Sequence, residues 1–98
     1  MIINNAMLKL KDRDDESISK VKEELLSMKG NIEVLHDIKV ELNIREGESN
    51  FDILFITMFE SMTDFDSYLA HPVHVKVSQN IGSNIEQSAA VCFESDIN

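Results

Sequence analysis

The sequence predicts an α+β fold in which strands and helices follow the order β-α-β-β-α-β. Stretches that alternate between apolar and polar residues, as strands do, lie at residues 2–11, 37–45, 51–59 and 86–94. Apolar residues recur at helical spacing in the stretches that follow the first and third strands. The chain of 98 residues has the length of one domain, which we expect to span residues 1–98.

The first strand, 2–11, leads into an acidic cluster that can begin a helix. Asp14 and Asp15 are the N-cap candidates, because their carboxylates can accept from the free N–H groups of a first turn. The helix is expected from about Glu16 to Met28, and Gly30 is expected to end it as the C′ residue. Its predicted apolar stripe comprises Ile18, Val21, Leu25 and Met28.

The next two strands differ in how much of each is predicted to be buried. Residues 37–45 alternate strictly, which indicates a strand with one wet face near the edge of a sheet. A polar turn at 46–50 connects it to the third strand. Residues 51–59 are apolar on both faces, with Leu54, Ile56 and Met58 on one and Ile53, Phe55 and Phe59 on the other. This pattern predicts a strand that is buried on both sides.

The second helix is predicted to break at Pro72. Ser61 begins it as an N-cap residue with Asp64 three positions later, and Pro72 restarts it as an N1 residue before Gly82 closes it. The first piece is expected to turn Met62, Phe65 and Leu69 inward, and the second Val73, Val77 and Ile81. Cys92 lies in an apolar run of the last strand, where we expect it to be buried.

This order is that of the ferredoxin-like fold, with both helices on one face of a four-stranded antiparallel sheet. The other face then carries the second apolar face of strand 51–59, which a single layer of helices cannot cover. A second copy of the same sheet is the simplest cover. The sequence therefore predicts a homodimer.

Composition excludes several kinds of partner and site. Acidic residues outnumber basic ones 18 to 9, so a formal charge of −9 disfavours nucleic acid and anionic membrane surfaces. No apolar stretch approaches the roughly 20 residues that span a bilayer. The start of the chain has no basic region or cleavage site, so the expected location is cytoplasmic. The single cysteine, Cys92, cannot form an internal disulfide.

Three segments resemble the stress-responsive α/β-barrel (Dabb) family. They are Ala6-Met7-Leu8-Lys9-Leu10-Lys11, Phe59-Glu60-Ser61 and Tyr68-Leu69-Ala70-His71-Pro72-Val73-His74-Val75. The resemblance implies ferredoxin-like subunits whose sheets face each other across a dimer to form a closed barrel. Most members have no established biochemical role, and some plant members are linked to stress. One plant branch cyclises linear polyketides, and related barrels include monooxygenases that act on polycyclic aromatics without a cofactor.

The resemblance also implies a site. Tyr68 and His74 match the acid/base tyrosine and histidine of the cyclase branch, and His71 matches the first histidine of the motif. Asn4 and Ile53 stand where that branch carries two further histidines. We expect a ligand in the barrel to meet Tyr68 and His74 as catalytic groups and His71, Asn4 and Phe55 as binding groups.

Structural roles for the same residues remain open. His74 lies at the edge of an apolar stripe and can be an amphipathic residue, His71 can cap the helix, and Tyr68 can be a core residue with its hydroxyl at the surface. No third ligand accompanies His71 and His74, so no zinc site is expected. No phosphate loop, nucleophile elbow or HExxH is present, and no cofactor is expected.

Three functions are thus compatible with the sequence. The first is a dimeric barrel of unestablished biochemical role that binds a small apolar or aromatic molecule. The second is a cofactor-independent cyclase or monooxygenase, and the third is a structural or interaction role in a stress response. An open cavity beside Tyr68 and His74 favours the first two.

Overall fold

The computed structural model describes residues 1–95 and contains four strands and three helices. In chain order they are β1 (Ile2–Leu10), α1 (Asp15–Leu26), β2 (Asp37–Leu42), β3 (Ile53–Phe59), α2 (Met62–Ala70), α3 (Pro72–Gly82) and β4 (Ile85–Glu94). The strands form one antiparallel sheet in the order β2-β3-β1-β4. This confirms the ferredoxin-like prediction and the break at Pro72. The last three residues of the expected domain lie outside the described part.

One side of the sheet packs against the helices, and no helix within residues 1–95 covers the other. Ile53, Thr57 and Phe59 of β3 are buried on the helix-facing side. Leu54, Ile56 and Met58 alternate with them along β3 and lie on the opposite side of the sheet, which we call the open face. Strand pairing places these apolar residues on the open face: Ile3, Met7, Leu54, Ile56, Met58, Ala89, Val91 and Phe93.

The helices leave β4 without cover even on the helix-facing side. All residues of β4 except Ile85 are exposed, because this strand lies at the edge of the sheet, beyond the reach of α1 and α2, which pack on β2 and β3. The expectation that Cys92 is buried is therefore wrong, and its thiol is exposed. No helix among residues 1–95 is long and apolar enough to cross a membrane.

An ion pair between Arg13 and Asp52 anchors the loop that connects β2 to β3. Asp52 is buried, accepts a hydrogen bond from the Leu10 backbone N–H at 2.8 Å, and lies 3.0 Å from Arg13 Nε. The Arg13 guanidinium also donates to the carbonyls of Gly47 and Asn50 at 3.0 and 2.9 Å. These contacts draw the loop toward the start of α1. Strands β2 and β3 are shorter than the predicted 37–45 and 51–59.

The start of α1 lies where it was predicted, but its end does not. Asp14 is the N-cap, as one of the two candidates predicted, and accepts from the Ser17 backbone N–H at 2.8 Å. The helix ends earlier than predicted, at Leu26 with Ser27 as its C-cap. Beyond the helix, backbone N–H groups up to residue 31 donate to the carbonyl three residues earlier, as in a 3₁₀-helix. Gly30, at φ 80°, therefore ends this 3₁₀-like segment rather than the α-helix itself.

Of the three residues of α2 predicted to turn inward, Phe65 does so, but Tyr68 takes the place of Met62 and Leu69. Tyr68 is buried and Phe65 half-buried, whereas Met62 and Leu69 are exposed. The rings of Phe65 and Tyr68 pack on Phe59 of β3, with centroids 5.2 and 4.9 Å from its ring. This aromatic contact rotates the helix away from the predicted stripe. Ser61 caps the helix as predicted, accepting from the Asp64 N–H at 3.1 Å.

Candidate functional site

A cavity of about 320 Å³ lies between α1, α3 and the helix-facing side of the sheet. It is lined by Leu8, Leu25, Met28, Phe55, Tyr68, His74, Val77, Ser78, Ile81, Gly82, Ile85 and Ser88. No lining residue carries a formal charge at neutral pH when histidine is neutral. The cavity therefore combines a mostly apolar wall with a few polar groups, as small-molecule sites in proteins do.

The cavity lies on the opposite side of the sheet from the one expected. Tyr68 and His74 were predicted to face the interior of a barrel formed between two sheets. They instead belong to α2 and α3, which pack on the helix-facing side, so the sheet separates them from the open face. A single chain consequently supplies every residue that lines the cavity.

The His74 ring has one nitrogen held by the backbone and one directed at a hydroxyl. Nδ1 lies 3.0 Å from the Leu69 carbonyl oxygen, which can only accept, so Nδ1 carries the proton of the neutral ring. Nε2 lies 3.4 Å from Ser78 Oγ and acts as the acceptor. Burial lowers the pKa of His74, and the hydrogen bond to Leu69 opposes this in part. Burial thus favours a neutral imidazole, and the contact of Nδ1 with Leu69 leaves Nε2 as the basic nitrogen.

Tyr68 packs directly against His74, with ring centroids 4.4 Å apart. Its side chain is 2% exposed, and its hydroxyl has no hydrogen-bond partner among residues 1–95. The hydroxyl is therefore buried rather than at the surface, as one structural interpretation had placed it. Burial raises the pKa of Tyr68, so the phenol remains a proton donor near neutral pH.

His71 has both ring nitrogens engaged outside the cavity. Nδ1 accepts from the Val73 backbone N–H at 3.1 Å and so caps α3, as the structural interpretation predicted. Nε2 faces Glu33 at 3.3 Å, and the pKa of Glu33 is lowered, first by its own backbone N–H and then by His71. His71 thus anchors the start of the helix that carries His74.

The remaining predicted residues divide between the cavity wall and its surroundings. Phe55 lines the cavity, whereas Asn4 lies on the helix-facing side of β1 but outside the lining set. Ser78 was not singled out from the sequence. Its position one helical turn after His74 was the available signal, because residues four apart share a helix face.

The structure offers no comparable site elsewhere within residues 1–95. A larger hollow of about 500 Å³ surrounds Arg13 and the 43–50 loop, but the Arg13 guanidinium is already bonded to Asp52 and to loop carbonyls. Within the described residues, no three His, Cys, Asp or Glu side chains are grouped so as to hold a metal ion.

Comparisons with known proteins agree with the fold. A family model described as "Stress Responsive A/B Barrel Domain" (Dabb) matches residues 5–96. A dimeric protein of unknown function with a ferredoxin-like fold from Bacteroides fragilis is 25% identical, with 96% of this chain and 95% of that chain covered and a TM-score of 0.80. No curated protein sequence matches the chain.

Two structures of named enzymes share the fold at lower identity. The hydroxynitrile lyase of Passiflora edulis is 10% identical, with 99% and 94% of the two chains covered and a TM-score of 0.83. An antibiotic biosynthesis monooxygenase is 14% identical, with 97% and 98% covered and a TM-score of 0.75. At these identities the likeness is one of fold alone.

Proposed function

This chain belongs to the Dabb family of stress-responsive A/B barrel domains, and from that premise we propose that it is a homodimeric protein that binds a small, uncharged, largely apolar molecule in each subunit. The observation that carries the ligand proposal is the cavity of about 320 Å³ beside Tyr68 and His74. The open face of the sheet carries the proposal of a dimer.

The dimer proposal rests on apolar surface that the helices do not cover. Met7, Val91 and Phe93 are all exposed on the open face, and Met7 lies beside the partly buried Leu54 of β3. Such a contiguous apolar face is typical of an interface between subunits. The dimeric description of the Bacteroides fragilis protein supports this arrangement.

The chemistry of the cavity defines the class of ligand. An apolar cavity of about 150 Å³ can hold a benzene molecule, so this one has room for an aromatic ring with a short substituent. With no charged lining group, the cavity offers an ionic ligand no counter-ion. Tyr68 offers a donor and His74 Nε2 an acceptor. A neutral aromatic carbonyl compound matches this set.

Binding of acetophenone to the dimer tests the proposal. We expect chemical-shift changes in the NMR spectrum that map to the cavity wall, and a loss of affinity of about tenfold or more in His74→Ala, since a wall group and a polar contact are removed together. His36→Ala is the matched control, because His36 is exposed in the connection before β2. Absence of binding by the wild-type protein would contradict the proposal and leave a structural or interaction role in a stress response.

A second candidate function is cofactor-independent catalysis in the same cavity. The observation that favours it is the pairing of a neutral, basic Nε2 on His74 with a protonated phenol on Tyr68. His74 can take a proton from the carbon next to a carbonyl, and Tyr68 can donate a hydrogen bond to the resulting enolate oxygen. Cyclase-like or monooxygenase-like chemistry can begin from such an enolate.

Hydrogen exchange separates the binding protein from the enzyme. In D₂O, an enzyme of this kind should replace the methyl protons of acetophenone by deuterium faster than buffer does, and His74→Ala should remove the acceleration. Binding without accelerated exchange supports the non-catalytic function.

A further inference from the structure

The proposed ligand cavity has a buried end and an exposed end. Leu25 and Met28 line it with side chains that are only 2% and 1% exposed. Ser78, Gly82 and Ser88 line it as well, but these three residues are exposed. A ligand that comes from solvent must pass the exposed residues to reach the buried ones. We therefore call Ser78, Gly82 and Ser88 the mouth of the cavity.

The mouth lies between helix α3 and the edge strand β4. On α3, His74, Ser78 and Gly82 follow one another at intervals of four residues, so they share one side of the helix. All three line the cavity, and Ser78 Oγ lies 3.4 Å from His74 Nε2. Ser88 lies on β4, which the helices leave exposed. A side chain at position 82 would therefore stand beside Ser78 at the mouth.

The backbone of α3 does not require a glycine at position 82. A glycine that closes a helix usually has a positive φ, but the glycines with positive φ in this chain are Gly30 and Gly47. Gly82 is the last residue of α3, and Ser83 is the C-cap. A methyl group at Gly82 would have no neighbour within 4 Å beyond its chain neighbours and the helix backbone. Since alanine is more favourable than glycine in a helix, the missing side chain lowers stability and leaves the mouth open.

We propose that Gly82 sets the length of the ligand, and that the cavity takes aryl ketones whose alkyl chain extends past this residue. This inference rests on the proposed ligand-binding function. The aromatic ring occupies the buried end beside Leu25 and Met28, where the wall is apolar. The alkyl chain passes Gly82, where the lining residues Ile81 and Ile85 offer further apolar surface.

Paired titrations with acetophenone and butyrophenone, whose alkyl chain is two CH₂ groups longer, test the role of Gly82. The wild-type protein should bind butyrophenone about tenfold more tightly, because the additional CH₂ groups are removed from water at the mouth. Gly82→Leu should keep its affinity for acetophenone and lose the preference, because leucine takes the space of the longer chain. Gln79→Leu adds the same side chain at an exposed position of α3 outside the cavity lining, and it should retain the preference.

Gly82→Ala is a milder variant with a readout that does not depend on a ligand. Because alanine favours the helix and its methyl group has space, this protein should unfold at a higher urea concentration than the wild-type protein. Its preference for butyrophenone should be weaker than that of the wild-type protein. A Gly82→Ala protein that is less stable than the wild-type protein would show that the backbone requires the glycine, and would overturn the inference.

The titrations distinguish a failure at Gly82 from a failure of the cavity proposal. A folded Gly82→Leu protein that keeps the preference for butyrophenone, or that binds neither compound, overturns the role of Gly82 alone. The same holds for a wild-type protein that binds both compounds equally. A wild-type protein that binds neither compound overturns the cavity proposal and the role of Gly82 with it.

Discussion

The two histidines around Pro72 are three residues apart and have different roles. His71 uses one ring nitrogen to cap α3 and the other to contact Glu33, which leaves neither for a ligand. His74 gives only Nδ1 to the backbone and directs Nε2 at Ser78 in the cavity wall. The motif locates both residues, but only the packing of α2 and α3 shows which ring nitrogen is available.

His74 should make the protein less stable as the pH falls. Its pKa is lowered in the folded state, so the unfolded chain takes up the proton first as the pH passes below the ordinary histidine value of about 6.5. The free energy of unfolding should therefore decrease with falling pH and level off once folded His74 is also protonated. Urea unfolding of the wild-type protein and of His74→Gln between about pH 7.5 and about pH 5 measures the effect.

The difference between the two proteins isolates His74, because His36 and His71 are present in both. The wild-type protein should lose more stability than His74→Gln over this range. Equal pH dependence in the two proteins would show that His74 is not held in its neutral form by the fold.

At the scale of the elements, the sequence predicts where helices begin and break better than it predicts which of their faces is buried. Pro72, Ser61 and Asp14 each act through a local backbone effect, so the breaks and caps they specify are present in the structure. The orientation of α2 depends on how its rings pack on Phe59 at the end of β3, and the exposure of Cys92 depends on how far the helices extend over the sheet. Neither can be read from local patterns.

The anchoring of the loop between β2 and β3 and the cavity also required the three-dimensional structure. Arg13 and Asp52 are 39 residues apart, and no local signal pairs them. The resemblance pointed to Tyr68 and His74 together, but the order of strands and helices alone did not show that their rings pack against each other or on which side of the sheet they lie.

The cap of α3 provides a test of the role of His71. His71→Ala removes the acceptor for the Val73 N–H, and we expect it to lower the free energy of unfolding by about 0.5–2 kcal/mol. His71→Asn should recover most of this loss, since asparagine is a strong N-cap residue although it cannot reproduce the contact with Glu33. Urea unfolding measures both, with His36→Ala as the exposed control. Equal losses in the alanine and asparagine variants would assign the effect to Glu33 instead.

At the scale of the whole molecule, the two sides of the sheet serve different purposes. The helix-facing side contains the core and the cavity, and the open face has apolar residues on three adjacent strands. The sequence predicted this division because both faces of β3 are apolar, which one layer of helices cannot accommodate.

Two exposed valines provide a matched test of the dimer. Val91 is 66% exposed on the open face and Val75 is 41% exposed on α3. Val91→Lys should yield a monomer at micromolar concentration, because it places a charge in the apolar interface, whereas Val75→Lys should remain dimeric. Sedimentation velocity distinguishes the two species. A dimeric Val91→Lys protein would place the interface elsewhere on the molecule.

The packing of Tyr68 against His74 has a practical consequence for spectroscopy. The chain contains one tyrosine and no tryptophan, so its near-ultraviolet fluorescence originates from the cavity wall. The imidazole ring lies 4.4 Å from the emitting ring, close enough for its protonation to quench the emission on contact. Emission intensity followed against pH, or against an added compound that does not absorb in the same band, therefore reports the state of the cavity without any label.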